Sequence, residues 1–332
     1  MGLIKISKNS SVPRYKQIVK SVEQGIAKGD LNKGDKLPSL NSIKTINAIS
    51  RDTVLMAYND LKARGIVQSI VGKGYYVLNE NVTISQKIFL LFDELNSFKE
   101  DLYNSFINNL SHGIQVDIFF HHFNINVFEK LITDCIGNYN YYVIMPANFE
   151  NTNAFIKHLP EEKVYILDQT HSDLKQYPSI FQSFKNNTYQ SLTEGIDLIK
   201  KYTKIVLLFQ PKKQPKGIIE GFLSFCSDNN IENEVIANLE NRLPKKGEVY
   251  FVLDDKNLMR IIKKFNSKKL ILGKEIGIIS YNETILKEVV VEGITTISTN
   301  FNIMGKRLAQ MILNNDKSQE ENPCKLTIRK SL

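Results

Sequence analysis

Beyond residue 86 the chain alternates between two rhythms, and this alternation constrains its fold more than any other feature. Short continuous apolar runs stand at 88–92, 116–120, 141–145 and 164–167. Between them, 98–110, 127–135 and 152–158 carry apolar residues at helical spacing. The rhythm restarts near residue 188. Helices are predicted over 188–200, 218–229 and 258–265, and strands over 205–209, 249–253 and 276–279. A short run that is apolar at every position reads as a strand covered on both faces. Strands that alternate with helices build parallel sheets, so two such sets predict an α/β body of two lobes. Ligands of such folds sit beyond the carboxyl ends of the strands, which in a two-lobed body is the cleft between the lobes.

The first quarter of the chain differs. Of 332 residues, the first 78 hold thirteen Lys and Arg against five Asp and Glu, and so carry the whole formal net charge of +8. A compact basic module on a neutral body predicts a polyanion at one end. Tyr15, Ile18, Val19, Val22 and Ile26 make one helical stripe over 13–28, ended by Gly29. Ser39 is the N-cap of a second helix, with Leu40, Ile43 and Ile46 expected to face inward. Ser50 is the N-cap of a third, with Val54, Tyr58 and Leu61 on one face and Gly65 as its stop. Two β-rich pieces, 66–71 and 75–78, flank the tight basic turn Gly72-Lys73-Gly74.

Three helices and a two-stranded ribbon predict a winged helix-turn-helix, whose third helix enters the DNA major groove. Its leading residues, Ser50, Arg51, Asp52 and Thr53, would then face base edges. Arg51 has the fork that matches O6 and N7 of guanine. Lys73 and Gly74 of the wing would approach phosphates, and Ser39 and Asn41 of the second helix belong to the same expected surface. The stretch 12–78 resembles the DNA-binding domain of the GntR family. The matching residues are Tyr15-Lys16-Gln17-Ile18, Gly29-Asp30-Leu31, Gly34-Asp35-Lys36-Leu37-Pro38-Ser39, Ser50-Arg51-Asp52-Thr53-Val54, Tyr58, Leu61, Gly65 and Gly72-Lys73-Gly74-Tyr75. Leu40-Asn41 stand where the family often has an acidic residue and an arginine, and Leu55 where it often has a second arginine.

The body resembles the effector domain of LacI/GalR regulators and periplasmic sugar-binding proteins. The resemblance rests on the order of elements and on Phe251-Val252-Leu253-Asp254-Asp255, Ile278-Ile279-Ser280-Tyr281-Asn282-Glu283-Thr284, Gly293-Ile294-Thr295-Thr296-Ile297 and Glu220-Gly221-Phe222. Lys216 is the cation nearest the place of a sugar-contacting arginine, and Asn282 stands for the usual aspartate. Together the halves resemble the branch of the GntR family that carries a sugar-binding, LacI-like effector domain. The division implied is a winged helix-turn-helix at 1–78, a linker at 79–86, and a two-lobed α/β effector and dimerisation domain at 87–332.

Asp93, Asp168, Asp254 and Asn282 each fall at or just past a predicted strand end. Planar polar groups suit sugar hydroxyls, and Phe98, Phe301 and Tyr281 are candidate rings for the apolar face of a pyranose. Asn148 and Lys216 complete the expected ligand set. Each carboxylate could instead only cap a helix. The expected effector is one monosaccharide, a pentose or deoxyhexose. The expected partners are a palindromic operator DNA and a second copy of the chain, with no membrane and no cofactor.

The alternatives are a sugar-modifying enzyme with an accessory DNA-binding head, and a plain sugar carrier. The chain holds no GxSxG, HExxH, Walker or GxGxxG motif, which speaks against catalysis. The adjacent His121 and His122 are expected at a partly exposed strand end, pointing to opposite faces, and so not as a metal pair. Three widely spaced cysteines, Cys135, Cys226 and Cys324, read as reduced structural thiols. With no apolar leader and no membrane-length apolar run, the expected location is the bacterial cytoplasm, on the nucleoid when bound.

Overall fold

The computed structural model describes residues 3–7, 10–240 and 242–332. Three helices open the chain: α1 Arg14–Ala27, α2 Leu40–Asn47 and α3 Arg51–Ala63. The ribbon β1 Val67–Ile70 and β2 Gly74–Val77 is antiparallel, with Ile70 opposite Gly74 across the turn. Ile18, Val22, Val54, Leu61 and Ile66 are fully buried between these elements. Tyr58 sits among them, its hydroxyl donating to Pro38 O at 2.8 Å and its ring edge-on to Tyr75 at 4.8 Å. One side chain thus ties α3 both to the start of α2 and to the wing. Ile46, expected inward, is 74% exposed. It is the last apolar residue of a two-turn helix, and the stripe has rotated away from the core by then.

In chain order there follow β3 Gln86–Phe92, α4 Ser97–Asn108, β4 Ile114–Phe120, α5 Ile125–Cys135, β5 Tyr141–Ile144, α6 Asn153–Ile156, β6 Val164–Asp168 and β7 Ser179–Phe181. Then come α7 Phe184–Glu194, α8 Ile196–Ile199, β8 Lys204–Leu208, α9 Lys216–Asp228, β9 Glu232–Ile236, β10 Glu248–Val252 and α10 Asp255–Ser267. The chain closes with β11 Ile276–Tyr281, α11 Ile285–Val289, β12 Thr295–Thr299, α12 Phe301–Asn314, β13 Gln319–Glu321 and β14 Cys324–Thr327. Besides the ribbon, the strands form two six-stranded sheets. The architecture is the expected one, a winged helix-turn-helix followed by a two-lobed α/β body.

The chain divides into two compact units. The first holds residues 1–92, 110–144 and 153–165; the second holds the rest. In the first unit β3 pairs in parallel with β4 on one side and β5 on the other. The apolar run Ile88 to Phe92 is buried throughout, as its composition predicts. In the second unit β7 pairs in parallel with both β6 and β13. The other sheet lies wholly in this unit, in the order β14-β12-β11-β10-β8-β9, with only β14 antiparallel. Two glycines mark close approaches of its helices. A Cβ on Gly221 of α9 would lie 2.2 Å from Lys185 O of α7, and one on Gly305 of α12 would lie 2.3 Å from Leu102 O of α4.

Five strands escaped the sequence pattern, β7, β9, β12, β13 and β14, as did helices α11 and α12. The predicted helix over 188–200 begins earlier, at Phe184, and breaks at Gly195. His121 corrects an expectation too. It is fully buried rather than partly exposed, its ring edge-on to Phe128 at 5.4 Å.

Candidate functional site

The head presents a polar, basic face. Ser50 Oγ accepts from Thr53 N at 3.1 Å and lies 2.8 Å from Thr53 Oγ1, so the two hydroxyls close the first turn of α3. Ser39 Oγ does the same for α2, accepting from Ser42 N at 3.1 Å. With their hydroxyls used as caps, Ser39 and Ser50 set where each helix starts. Arg51 and Asp52 are exposed at the tip of α3, as is Asn41 on α2. In the wing, Lys73 N donates to Ile70 O at 3.0 Å, which turns the chain tightly and leaves the Lys73 side chain exposed beside Gly74. Neither Arg51 nor Lys73 forms a salt bridge among the described residues.

In the second unit, a cavity of about 670 Å³ is walled by the segments after β5, β6 and β7 and by the start of α9. Two sequence-predicted residues line it. Asn148 donates Nδ2 to Gln214 O at 2.6 Å, and Lys216 Nζ lies 3.3 Å from Glu150 Oε1. Gln169, His171, Gln182 and Phe184 line it as well. His171 Nε2 lies 2.6 Å from Ala147 O, which makes that nitrogen the protonated one. Gln182 donates Nε2 to Asp168 Oδ1 at 2.6 Å, while its own Oε1 is buried without a partner among the described residues.

Asp168 therefore stands one layer behind the wall, at the last position of β6, with a φ of +72°. Asp93 approaches the same group from another segment. Both carboxylates sit by Lys99 of α4, which bonds Asp93 directly. All three side chains are buried. Burial pushes the Lys99 ammonium down to about 8, although Asp168 pulls the other way. Burial likewise pushes the Asp168 carboxyl up, against the pull of Lys99 and the Gln182 hydrogen bond. The Tyr281 hydroxyl is also buried and raised, in part by Asp168. The cluster is thus a low-dielectric polar knot with one more carboxylate than ammonium.

The other expected ligand residues lie elsewhere. Asp254 caps α10, accepting Asn257 N and Nδ2 at 2.8 Å each, so both of its oxygens are taken by its own helix. Asn282 follows β11 with a φ of +61°, and its carbonyl accepts from the buried Lys287 at 2.7 Å. Its Oδ1 is buried and unpartnered among the described residues, but it is not part of the cavity wall. The rings of Phe98 and Phe301 meet tilted, 4.8 Å between centroids, where they help pack α4 against α12. Lys99, His171 and Gln182 were missed in the sequence. Lys99 lies inside an amphipathic helix, His171 lies in the irregular segment between β6 and β7, and Gln182 directly follows the three-residue strand β7, so no local pattern marks them.

Among the described residues no group of three or more His, Cys, Asp and Glu could hold a metal ion, and no helix is long and apolar enough to cross a membrane.

A basic winged helix-turn-helix on a two-lobed α/β body defines a transcriptional regulator. Residues 14–77 match the model of bacterial regulatory proteins of the gntR family, and residues 198–332 match that of a periplasmic binding protein-like domain. The chain is similar to the HTH-type transcriptional repressor YtrA of Bacillus subtilis, 32% identical over 35% of this chain and 85% of the relative. It is 38% identical to the mannosyl-D-glycerate transport/metabolism system repressor MngR of Escherichia coli, over 25% of this chain and 34% of that protein. The chain belongs to the GntR family. Over 74% of its length the fold is similar to that of 93% of a lac repressor chain, solved as a dimer bound to operator and the anti-inducer ONPF, with a TM-score of 0.61 and 15% identity.

Proposed function

We propose that the protein is a bacterial repressor of a sugar-utilisation operon, released or engaged by one unphosphorylated monosaccharide, a pentose or deoxyhexose, in the 670 Å³ cavity. The observation that carries this reading is the chemistry of the wall. Gln169 and Gln182 supply neutral amides, Asn148 an amide oxygen while its Nδ2 donates to Pro211 O and Gln214 O, Gln182 has an acceptor without a partner among the described residues, and Phe184 offers a ring. These groups suit hydroxyls and an apolar sugar face. The wall has no arginine; its lysines are Lys216, which is paired with Glu150, and Lys185, so a phosphate finds no guanidinium fork to bind. Asp168, through Gln182, fixes the orientation of the amide that meets the sugar.

The protein acts as a homodimer in the cytoplasm, and two heads engage a palindromic operator. Arg51 reads a guanine, Asp52 and Thr53 stand beside it, and Lys73 neutralises a phosphate. The test is a thermal-shift screen of the full chain against monosaccharides and their phosphates. A ligand that binds only the folded state raises the melting temperature. A rise with a free sugar, absent in Gln182→Ala, supports the reading. A rise with phosphorylated sugars alone overturns it.

A further inference from the structure

Residues 79–85 join the head to β3, and they are fastened along their length. Asn79 N donates to Ile66 O at 3.2 Å, and Glu80 Oε1 accepts from Lys33 N at 2.8 Å. Asn81 N donates to Asn79 Oδ1 at 3.0 Å, and Thr83 N to Asn81 Oδ1 at 3.1 Å, so the middle of the connector is closed by its own side chains. At the far end Ser85 N donates to Gly113 O at 2.8 Å. Val82 packs on the head core and Ile84 is buried.

The fastening centres on Arg64, the residue that ends α3. It is 8% exposed. Its Nε donates to Ile84 O at 2.7 Å and Nη2 makes a longer bond to Val82 O at 3.5 Å. The same fork meets Glu23 of α1 at 2.5 Å and Asp60 of α3 at 3.2 Å. A guanidinium buried in this way is costly unless its donors are matched, and only a planar fork of five N–H groups reaches two carboxylates and two carbonyls together. Elsewhere the seam between the head and the sheet of the first unit is loosely filled, crossed by Lys87 beside Gly65 and Lys62 beside Gly137. Two open cavities of about 360 and 590 Å³ lie along it, with Gly65 and Leu78 on one side and Lys87 on the other. The connector, hydrogen-bonded to the head at one end and to Gly113 at the other, is the backbone tie across this seam.

We propose that Arg64 is a positioning residue. It locks the connector to the end of α3 and thereby fixes the direction of the DNA-reading helix relative to the β4-β3-β5 sheet, so that head and sheet turn as one body. The proposal is independent of any ligand. The test places spin labels at Ile46→Cys on α2 and Glu129→Cys on α5 of the full chain and reads the distance distribution between them. The native protein is expected to give one narrow distribution. Arg64→Lys keeps the charge but loses the fork, and is expected to at least double the width while hydrogen exchange of α1 and α3 amides stays within twofold of native. Gly113→Ala works from the opposite end. Gly113 has a φ of +84°, and a Cβ there would lie 2.8 Å from Thr83 O, so the substitution frees the connector without touching the head core. It is expected to widen the distribution equally. A native distribution as broad as the variants', or a native width in Arg64→Lys with its head protected, overturns the proposal. Should Arg64→Lys unfold the head, Gly113→Ala decides, a broad distribution supporting the lock and a native width overturning it.

Discussion

Arg51 is a free guanidinium at the N-terminal tip of α3, held there because Ser50 and Thr53 have spent their hydroxyls on the helix start. Arg51→Ala should weaken specific operator binding by about 1–3 kcal/mol and random DNA far less. Anisotropy titrations on both DNAs check this, and equal losses would reduce Arg51 to a phosphate contact. Lys99 poses the opposite case, a cation taken out of water. Its ammonium should titrate near 8, well below the 10.5 of an exposed lysine. The folded state then releases this proton before the unfolded state does. Unfolding takes the proton up between those two pH values, so this group's contribution to stability rises with pH across that window. Side-chain NMR of Lys99 through pH 7 to 11 reads the titration directly. A resonance still charged above pH 10 would mean that the Asp93 and Asp168 pair outweighs burial.

At the scale of elements, caps and turns are separable from ligand chemistry. Asp254 has both oxygens committed to the first turn of α10. Asp254→Ala should cost about 1 kcal/mol in denaturant unfolding and leave ligand binding unchanged. Lost ligand binding at native stability would return Asp254 to the effector site. On the proposal that each wing makes one phosphate contact, Lys73→Ala should lower the slope of log affinity against log salt by about 0.9 per head, about 1.8 for a dimer. An unchanged slope would take the wing off the phosphates.

The head was legible because its signals are local. Pro38-Ser39, Ser50-Arg51 and Gly72-Lys73-Gly74 each specify a start or a turn within a few residues. The buried strands β3, β8, β10 and β11 were legible because both faces are covered and the run is unbroken. The strands β7, β9 and β13 were not. Ser179-Ile180-Phe181 is too short for a pattern, and the edge sequences Glu232-Asn233-Glu234 and Gln319-Glu320-Glu321 are polar because an edge faces water. The same gap hid Gln182 and His171. Asp168 and Asp93 do stand at strand ends, but outside the cavity wall, and their partner Lys99 comes from a third segment, which one-dimensional spacing does not reveal.

For the whole molecule, a DNA head with all of the net charge and a neutral body carrying a polar cavity divide recognition between two chemistries. In the proposed reading the coupling between them is a free energy, present only when the proposed ligand prefers one of two states of the proposed dimer. The most direct measurement is operator affinity of the full chain, by anisotropy, with and without each monosaccharide of a panel, for the native protein and for Gln182→Ala. The account predicts that one free pentose or deoxyhexose changes native operator affinity at least tenfold. It predicts that Gln182→Ala keeps the ligand-free affinity while losing that change. An operator affinity that no free sugar alters, or one that Gln182→Ala still shows altered in full, would contradict it.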